Sequence, residues 1–449
     1  MKKLPNSKIA AFAVGQLGWA ILSGLISNWL VYFYQPDITA QEAGQTLFVP
    51  QGRVLLGVFT VIGAITALGR VFDAVTDPWI ASLSDRCKSS SGRRIPFLKW
   101  AAFPLAASTV LVFCAPVGQT SAWNVVWLSV FVFGYYLSIT AYCTPFNALI
   151  PELGHDQKQR LNISTAISLT FIVGTALAYV APVIWGLLEG SMGRVSAMRL
   201  TFGVMAGLAF ICMLTPVFAI REKDYVQSHP TEGNAVSSLV KTFRNRDFRV
   251  FVGSDIFYWI ALTMFQTGLP FFVTSLLGLE ESMSTIFFVA MTALSLVFYL
   301  PVNFLTRRFG KKKLVLAAFF LFAAAFLYTS FLGRLPGISP VVQGFVLVAA
   351  AAFPMAVFGI LPQAMVADVA EYDAGRTGEN REGMFYAART FAFKLGQSVS
   401  MLLFTALATV GNGGGQGYRV VACVSAALAL VGGILLFWYD EKKILKSMG

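Results

Sequence analysis

Histidine is nearly absent from this chain of 449 residues, which carries two, His155 and His229. Both fall in polar loops, so no imidazole is available at membrane depth to relay a proton, and any proton traffic has to run through carboxylates. Charge is scarce as well. Asp, Glu, Lys and Arg make up 12% of the residues, about half the share of a soluble protein. The five cysteines, Cys87, Cys114, Cys143, Cys212 and Cys423, are odd in number and form no metal or disulfide pattern. A nucleophile, a paired histidine and acid or a metal cluster near a membrane interface is lacking, as is a soluble sensor domain. An enzyme or a receptor is therefore not the expected reading.

What the chain has in quantity is apolar length. Hydrophobic residues make up 56% of it, and apolar runs of about 20 residues, each enough to cross a hydrocarbon core about 30 Å thick, recur throughout. Twelve are counted, centred near Leu22, Ala67, Ala106, Val132, Ile172, Ala209, Leu262, Leu294, Phe320, Ala352, Leu402 and Leu428. An all-α membrane protein of twelve transmembrane helices is expected. The first run is too long for a signal peptide and lacks a small-residue cleavage site, so it reads as a retained span.

A net charge of +12 suggests nucleic acid in a soluble protein, but here its distribution decides. With the N-terminus in the cytoplasm, Lys2, Lys3, Lys8, Arg86, Lys88, Arg93, Arg94, Lys99, Lys158, Arg160 and Arg221 all fall inside. So do the clusters Lys241 to Arg249, Arg307 to Lys313, Arg376 with Arg381, and Lys442 to Lys446. The opposite loops hold Arg53, Arg194, Arg199, Arg334 and Arg419. This asymmetry places both termini in the cytoplasm of an inner-membrane protein and removes the case for a nucleic-acid partner. The expected partners are the lipid bilayer and a small-molecule substrate, with the chain a monomer.

Residues 222–246, the longest interior polar segment, divide six spans from six, giving bundles 1–221 and 247–449. Span two ends in Ser82 to Arg86 and runs through Ser91-Gly92-Arg93-Arg94 into span three; span eight ends in Asn303 to Arg308 and runs through Gly310 to Lys313 into span nine. Equivalent basic, glycine-containing turns at equivalent places point to two pseudo-repeated six-helix bundles with a substrate site at mid-membrane. Each turn reads either as a topology anchor or, with Asp85, Arg86 and Arg93, as part of a cytoplasmic gate. Its counter-charges would come from the segment holding Asp368, Glu371, Asp373, Arg376, Glu379 and Arg381.

Two acids interrupt the second span, taken as Val54 to Leu83: Asp73 and Asp77. An acid at membrane depth costs roughly 2.5 to 3.5 kcal/mol on insertion scales, so two need a reason. Four residues apart on a helix they share a face at about 5 to 6 Å, and Arg70 lies on that face too. Two such carboxylates in low dielectric call for a proton, a cation or a basic partner. A cation-driven transporter follows, its only auxiliary a coupling ion, Na+ or H+. In span eleven Lys394 lies deep and Arg389 nearer the end. Lys394 either pairs with the Asp73/Asp77 acids across the two bundles, coupling ion occupancy to bundle position, or makes a static bridge. Asp255 is expected at the interface in a structural role. Gly15, Gly18, Gly24, Gly57 and Gly63 read as close-packing positions. Among the aromatics, Trp19, Trp29, Tyr135, Tyr136, Tyr142, Tyr258 and Trp259 are able to stack on a sugar ring, but most read as lipid-facing or interfacial.

Three motifs resemble one known family. Arg70-Val71-Phe72-Asp73-Ala74-Val75-Thr76-Asp77-Pro78, the run Tyr142 to Leu153, and Ala367 to Asp373 with Arg376-Thr377-Gly378 and Arg381 to Met384 occur in the right order, followed by Lys394. They resemble the melibiose-carrier family, the glycoside-pentoside-hexuronide:cation symporters of the major facilitator superfamily. The resemblance spans nearly the whole chain. It implies the twelve-helix fold, ligation of a cation (Na+ if sodium-coupled) by Asp73 and Asp77, a further oxygen from Thr140, and Lys394 beside them. Arg70 and Thr76 complete that candidate set; Thr76 stands where sodium-using members often carry asparagine, which leaves Na+ versus H+ open. The family's acids for sugar hydroxyls in helices one and four match Ala20 and Cys143 here, and its adjoining lysine, tryptophan and arginine match Trp19, Asn147 and Ile167. A sugar or glycoside remains the expected substrate, lined by Trp19, Ser23, Ser27, Cys143, Asn147 and Gln397. A lysolipid or other amphiphile is the alternative, since a branch of the family moves lipids.

Overall fold

The structure, a computed structural model, describes residues 4–154, 157–226, 235–378, 382–411 and 415–446. His155, His229, Lys2, Lys3, Glu379 and Arg381 lie outside the described residues. Contacts divide the chain into two units, Met1–Glu232 and Gly233–Gly449. The first contains α1 (Asn6–Tyr34), α2 (Ile38–Glu42), α3 (Val61–Arg86), α4 (Ile95–Phe113) and α5 (Ala122–Leu153). It continues through α6 (Gln157–Tyr179), α7 (Ala181–Met192), α8 (Arg194–Ala219) and α9 (Glu222–Tyr225). The second contains α10 (Ala235–Arg244), α11 (Arg246–Phe271), α12 (Ser282–Phe309) and α13 (Lys311–Ser330). It closes with α14 (Pro340–Thr377), α15 (Glu382–Ala408), α16 (Gln416–Leu436) and α17 (Glu441–Lys446). Among the described residues there are no strands, only isolated bridges between Leu55 and Phe59 and between Ser89 and Gly92.

Among the described residues eleven helical segments are long and apolar enough to cross a membrane, with α6 and α7 counting as one, Asn162–Met192. The twelfth long helix is α3, which Arg70, Asp73 and Asp77 interrupt. All twelve centres expected from hydropathy fall in these helices. The second span is shorter than its apolar run, however. Val54 to Thr60 form a turn in which Leu56 is 90% exposed at φ 54° and Gly57 has φ 67°. The helix begins where the Thr60 side chain accepts from the Gly63 N–H at 3.1 Å, a local cap that hydropathy does not register.

In each unit the first long helix is central: 67% of the α1 window and 78% of the α11 window are buried. Close approach explains α1. A Cβ on Gly18 would stand 2.5 Å from the Ala209 carbonyl of α8, and one on Gly24 2.5 Å from Cβ of Ala178 in α6. The aromatics expected at the lipid face are mostly inside instead: Trp29, Tyr135, Tyr136, Tyr142 and Tyr258 are buried. Two of them reach backbone within the bundle, Trp29 Nε1 donating to Ala178 O and Tyr142 OH to Met213 O, both at 2.8 Å.

The basic turns repeat in detail that the sequence did not convey. Glu222, just after α8, is buried and accepts from the backbone N–H groups of Arg93, Arg94 and Ile95 at 2.8, 2.8 and 3.0 Å. Glu441, just after α16, accepts from the N–H groups of Lys311 and Lys312 at 2.6 and 3.2 Å. Each carboxylate thus satisfies the orphan donors at a helix start and meets the positive end of its dipole. The glycine before each start makes the room. Gly92 at φ 117° and Gly310 at φ 86° press against the capping carboxylate, where any Cβ would collide.

Candidate functional site

The acids of the second span sit on α3 where it packs along α5. Asp73 is buried and Asp77 half-buried. Facing them on α5 are two threonines with the same spacing of four. Thr140 Oγ1 donates to Asp73 Oδ1 in a short hydrogen bond, and Thr144 Oγ1 donates to Asp77 Oδ1 at 3.2 Å. Two helices with i, i+4 positions in register therefore make two rungs, each of one carboxylate and one hydroxyl. The site is made of oxygens, which suits a hard cation or a proton rather than a soft metal. Among the described residues no group of three His, Cys, Asp or Glu is placed to hold a metal ion.

Thr144 was not among the residues singled out from the sequence, although its spacing from Thr140 repeats that of Asp77 from Asp73. Thr76, which was, has its hydroxyl committed to its own helix, donating to Phe72 O at 3.0 Å and Asp73 O at 3.1 Å. Arg70 lies in the field of Asp73. Its guanidinium lies over the Tyr136 ring at 5.2 Å and donates to Ser27 Oγ at 3.4 Å. Such a cation over an aromatic face is worth about 0.5 to 2 kcal/mol. Gly69 lets the ring lie there, since a Cβ would come 2.5 Å from Tyr136 Cδ2. Lys394 belongs to the second unit, on α15.

A family model described as MFS/sugar transport protein matches residues 11–413. The chain belongs to that family. Among curated relatives, an uncharacterized symporter of Bacillus subtilis, YjmB, is 28% identical, the match covering 82% of this chain and 78% of that one. The isoprimeverose transporter of Lactiplantibacillus pentosus is 20% identical over 88% of this chain and 78% of its own. Among solved structures, a D-xylose-proton symporter superposes with a TM-score of 0.67 at 15% identity, over 97% of each chain. The fold is that of the major facilitator superfamily, and the relatives place the chain among its glycoside and cation symporters.

Within this family fold, the remaining expected residues separate into groups. Ser27 joins Arg70, and Ser23 hydrogen-bonds Tyr135. Both serines thus orient the first unit's polar interior. Trp19 is half-buried against Phe171, Cys143 is half-buried, and Asn147 is exposed on α5. Gln397 lies on α15 of the second unit.

Of the residues expected at a cytoplasmic gate, Asp85, Arg93, Asp368 and Asp373 each have a partner within their own unit. Arg94 bridges Asp85 at 2.5 Å and Glu152 at 3.1 Å, and Arg93 reaches Glu152 at 3.3 Å. In the second unit Lys311 bridges Asp368 at 2.5 Å, and Asn245 donates to Asp373 at 2.8 Å. Glu371 and Arg376 are exposed, and Arg86 ends α3. The acids paired with Arg93 and Arg94 are thus Asp85 and Glu152, and Asp368 serves the equivalent turn of the second unit. Asp255, expected in a structural role, is paired within its own unit. It is buried, and its carboxylate receives both Nε and Nη2 of Arg389 at 2.7 and 3.0 Å, a two-point bridge between α11 and α15.

Proposed function

We propose that the protein is a cation-coupled symporter of a sugar or glycoside, working by alternating access, with Asp73 and Asp77 as the acidic pair of the cation site. Thr140 and Thr144 add the neutral oxygens. The observation that carries this reading is the two-rung arrangement of Asp73 with Thr140 and Asp77 with Thr144. Two carboxylates and two hydroxyls on facing helices at membrane depth offer the neutral and anionic oxygens that a small cation or a proton takes, which supports a visiting ion. Na+ or H+ is the cargo that meets this need, and no resident cofactor enters the cycle. The basic turns support an inner-membrane orientation with both termini cytoplasmic.

Linkage requires that a cation which tightens substrate is itself tightened by substrate to the same factor. One charge crossing about 100 mV supplies roughly 2.3 kcal/mol. That sustains about 50-fold accumulation of a neutral solute. The test is uptake into proteoliposomes of labelled isoprimeverose and D-xylose, with lysophosphatidylcholine as the amphiphile arm, under imposed Na+ and H+ gradients. Asp73→Asn and Asp77→Asn should each abolish gradient-driven accumulation while the protein still inserts and folds. Wild-type accumulation in both variants would remove these acids from the mechanism.

A further inference from the structure

The second unit contains a polar cluster that the cation site does not use. Trp259 and Thr263 stand four apart on α11; Phe393 and Gln397 stand four apart on α15. The Trp259 ring stacks on Phe393, centroids 4.4 Å apart and planes 24° apart. Trp259 Nε1 and, one turn further along each helix, Thr263 Oγ1 and Gln397 Oε1 are shielded from solvent with no hydrogen-bond partner among the described residues. Thr263 itself is 5% exposed. Three orphaned polar atoms on one helix pair are unfavourable unless a ligand satisfies them.

Thr263 is informative because a helical threonine has an easy remedy, a bond to the carbonyl four residues back. Thr66, Thr109, Thr201, Thr329 and Thr405 all take it. Thr263 does not, and neither do the hydroxyls of Thr140 and Thr144, which face the acids of α3. The first unit supplies a control. There Trp19 and Ser23 stand four apart on α1, and Phe171 and Thr175 stand four apart on α6, with Trp19 against Phe171 at 5.8 Å. A glycine precedes the last residue in both units, Gly174 and Gly396, letting the helix pair close up. The first-unit hydroxyls are occupied, however: Ser23 bonds Tyr135, and Thr175 donates to Phe171 O at 2.9 Å. The indole N–H is without a partner in both frames, Trp19 Nε1 as well as Trp259 Nε1, so the units differ at the hydroxyl, which is bonded in the first and left open at Thr263 in the second.

We propose that Trp259, Thr263 and Gln397 form a subsite for the hydroxyl groups of an uncharged, polyhydroxylated substrate, with the aromatic pair beneath its ring. An indole N–H donates, an amide oxygen accepts and a threonine hydroxyl does either, which matches a sugar hydroxyl that is both donor and acceptor. The subsite deepens the proposed function, placing substrate recognition on neutral groups of the second unit rather than on carboxylates. The competing ligand is an anion drawn to Lys394, three residues before Gln397.

The test uses the full chain in nanodiscs, with isoprimeverose, D-xylose, D-glucuronate and lysophosphatidylcholine as calorimetric probes. Trp259→Phe keeps the ring stack and removes the N–H; Thr263→Val removes the hydroxyl at constant shape. Each should weaken binding of the neutral sugars about tenfold, equivalent to about 1.4 kcal/mol. Thr263→Ser should restore it. Unchanged sugar affinity in both variants overturns the assignment. So does binding of glucuronate or lysophosphatidylcholine to the unaltered chain without binding of either sugar, or no binding of any probe. A Na+- or pH-dependent thermal shift, read on the same samples, should survive both substitutions. Its absence from the unaltered chain would sink the cation reading and leave this one standing.

Discussion

Proline sets a common register in the two units, and the residues around it differ in kind. Asp73 and Asp77 lie five and one residues before Pro78 of α3; the same places before Pro301 of α12 hold Leu296 and Leu300. Thr140 and Thr144 lie five and one before Pro145 of α5; the same places before Pro362 of α14 hold Val357 and Leu361. Leu300 is 80% exposed where its counterpart Asp77 is half-buried against Thr144. The scaffold is thus duplicated down to its in-helix prolines and its carboxylate caps, while the acid and hydroxyl rungs stand at these places in the first unit. A helix pair keeps its packing if four inward or lipid-facing positions change polarity together, because proline register and glycine contacts set the packing independently.

The comparison is easiest to break at a buried ion pair of the second unit, the Asp255–Arg389 bridge. Removing one partner leaves the other charge buried, so Asp255→Ala or Arg389→Ala should cost about 3 to 5 kcal/mol. Thermal unfolding in detergent reads this, and Asp255→Leu with Arg389→Met should recover most of it. If both single variants melt like the unaltered chain, the bridge is not a structural counterpart to the acids of α3.

Converting the first unit's hydroxyls to the second unit's kind sharpens the contrast. Thr140→Val and Thr144→Val should each weaken cation binding about tenfold, about 1.4 kcal/mol, with Thr140 the larger because its partner Asp73 is the more deeply buried. Cation titration by thermal shift distinguishes them; equal affinity in both variants would show the rungs to be packing contacts.

The caps offer the smallest difference. Glu222→Gln and Glu441→Gln keep an acceptor but lose the charge facing a helix start, an effect of about 0.3 to 2 kcal/mol. Glu222 serves three backbone donors and Glu441 two, so the first variant should destabilise more. The reverse order in thermal unfolding would mean that the caps are not equivalent.

Much of this molecule was legible in its residues. Apolar runs about 20 residues long give the spans because each must satisfy its backbone internally. Asp73 and Asp77 stand out because acids are costly in such runs. Less legible were the features that depend on a partner far along the chain. Glu222 looked like the start of a polar linker, yet it reaches back 127 to 129 residues to cap α4. Asp255 looked interfacial, but Arg389, 134 residues away, permits its burial. Tyr142 looked like a membrane-surface residue, yet its hydroxyl finds the Met213 carbonyl, 71 residues away, which composition does not locate.

The sequence by itself determined the helical class, the number of long helices, their family and the two acids that interrupt the second span. Hydrophobic length and charge cost act residue by residue, so no neighbour is needed to read them. Only the tertiary structure decided which hydroxyls face those acids, which carboxylates cap which helices, and which polar atoms of the second unit are left without a bond. Hydrogen bonds are short and directional, and whether one is made depends on the few ångströms between helices that packing alone fixes.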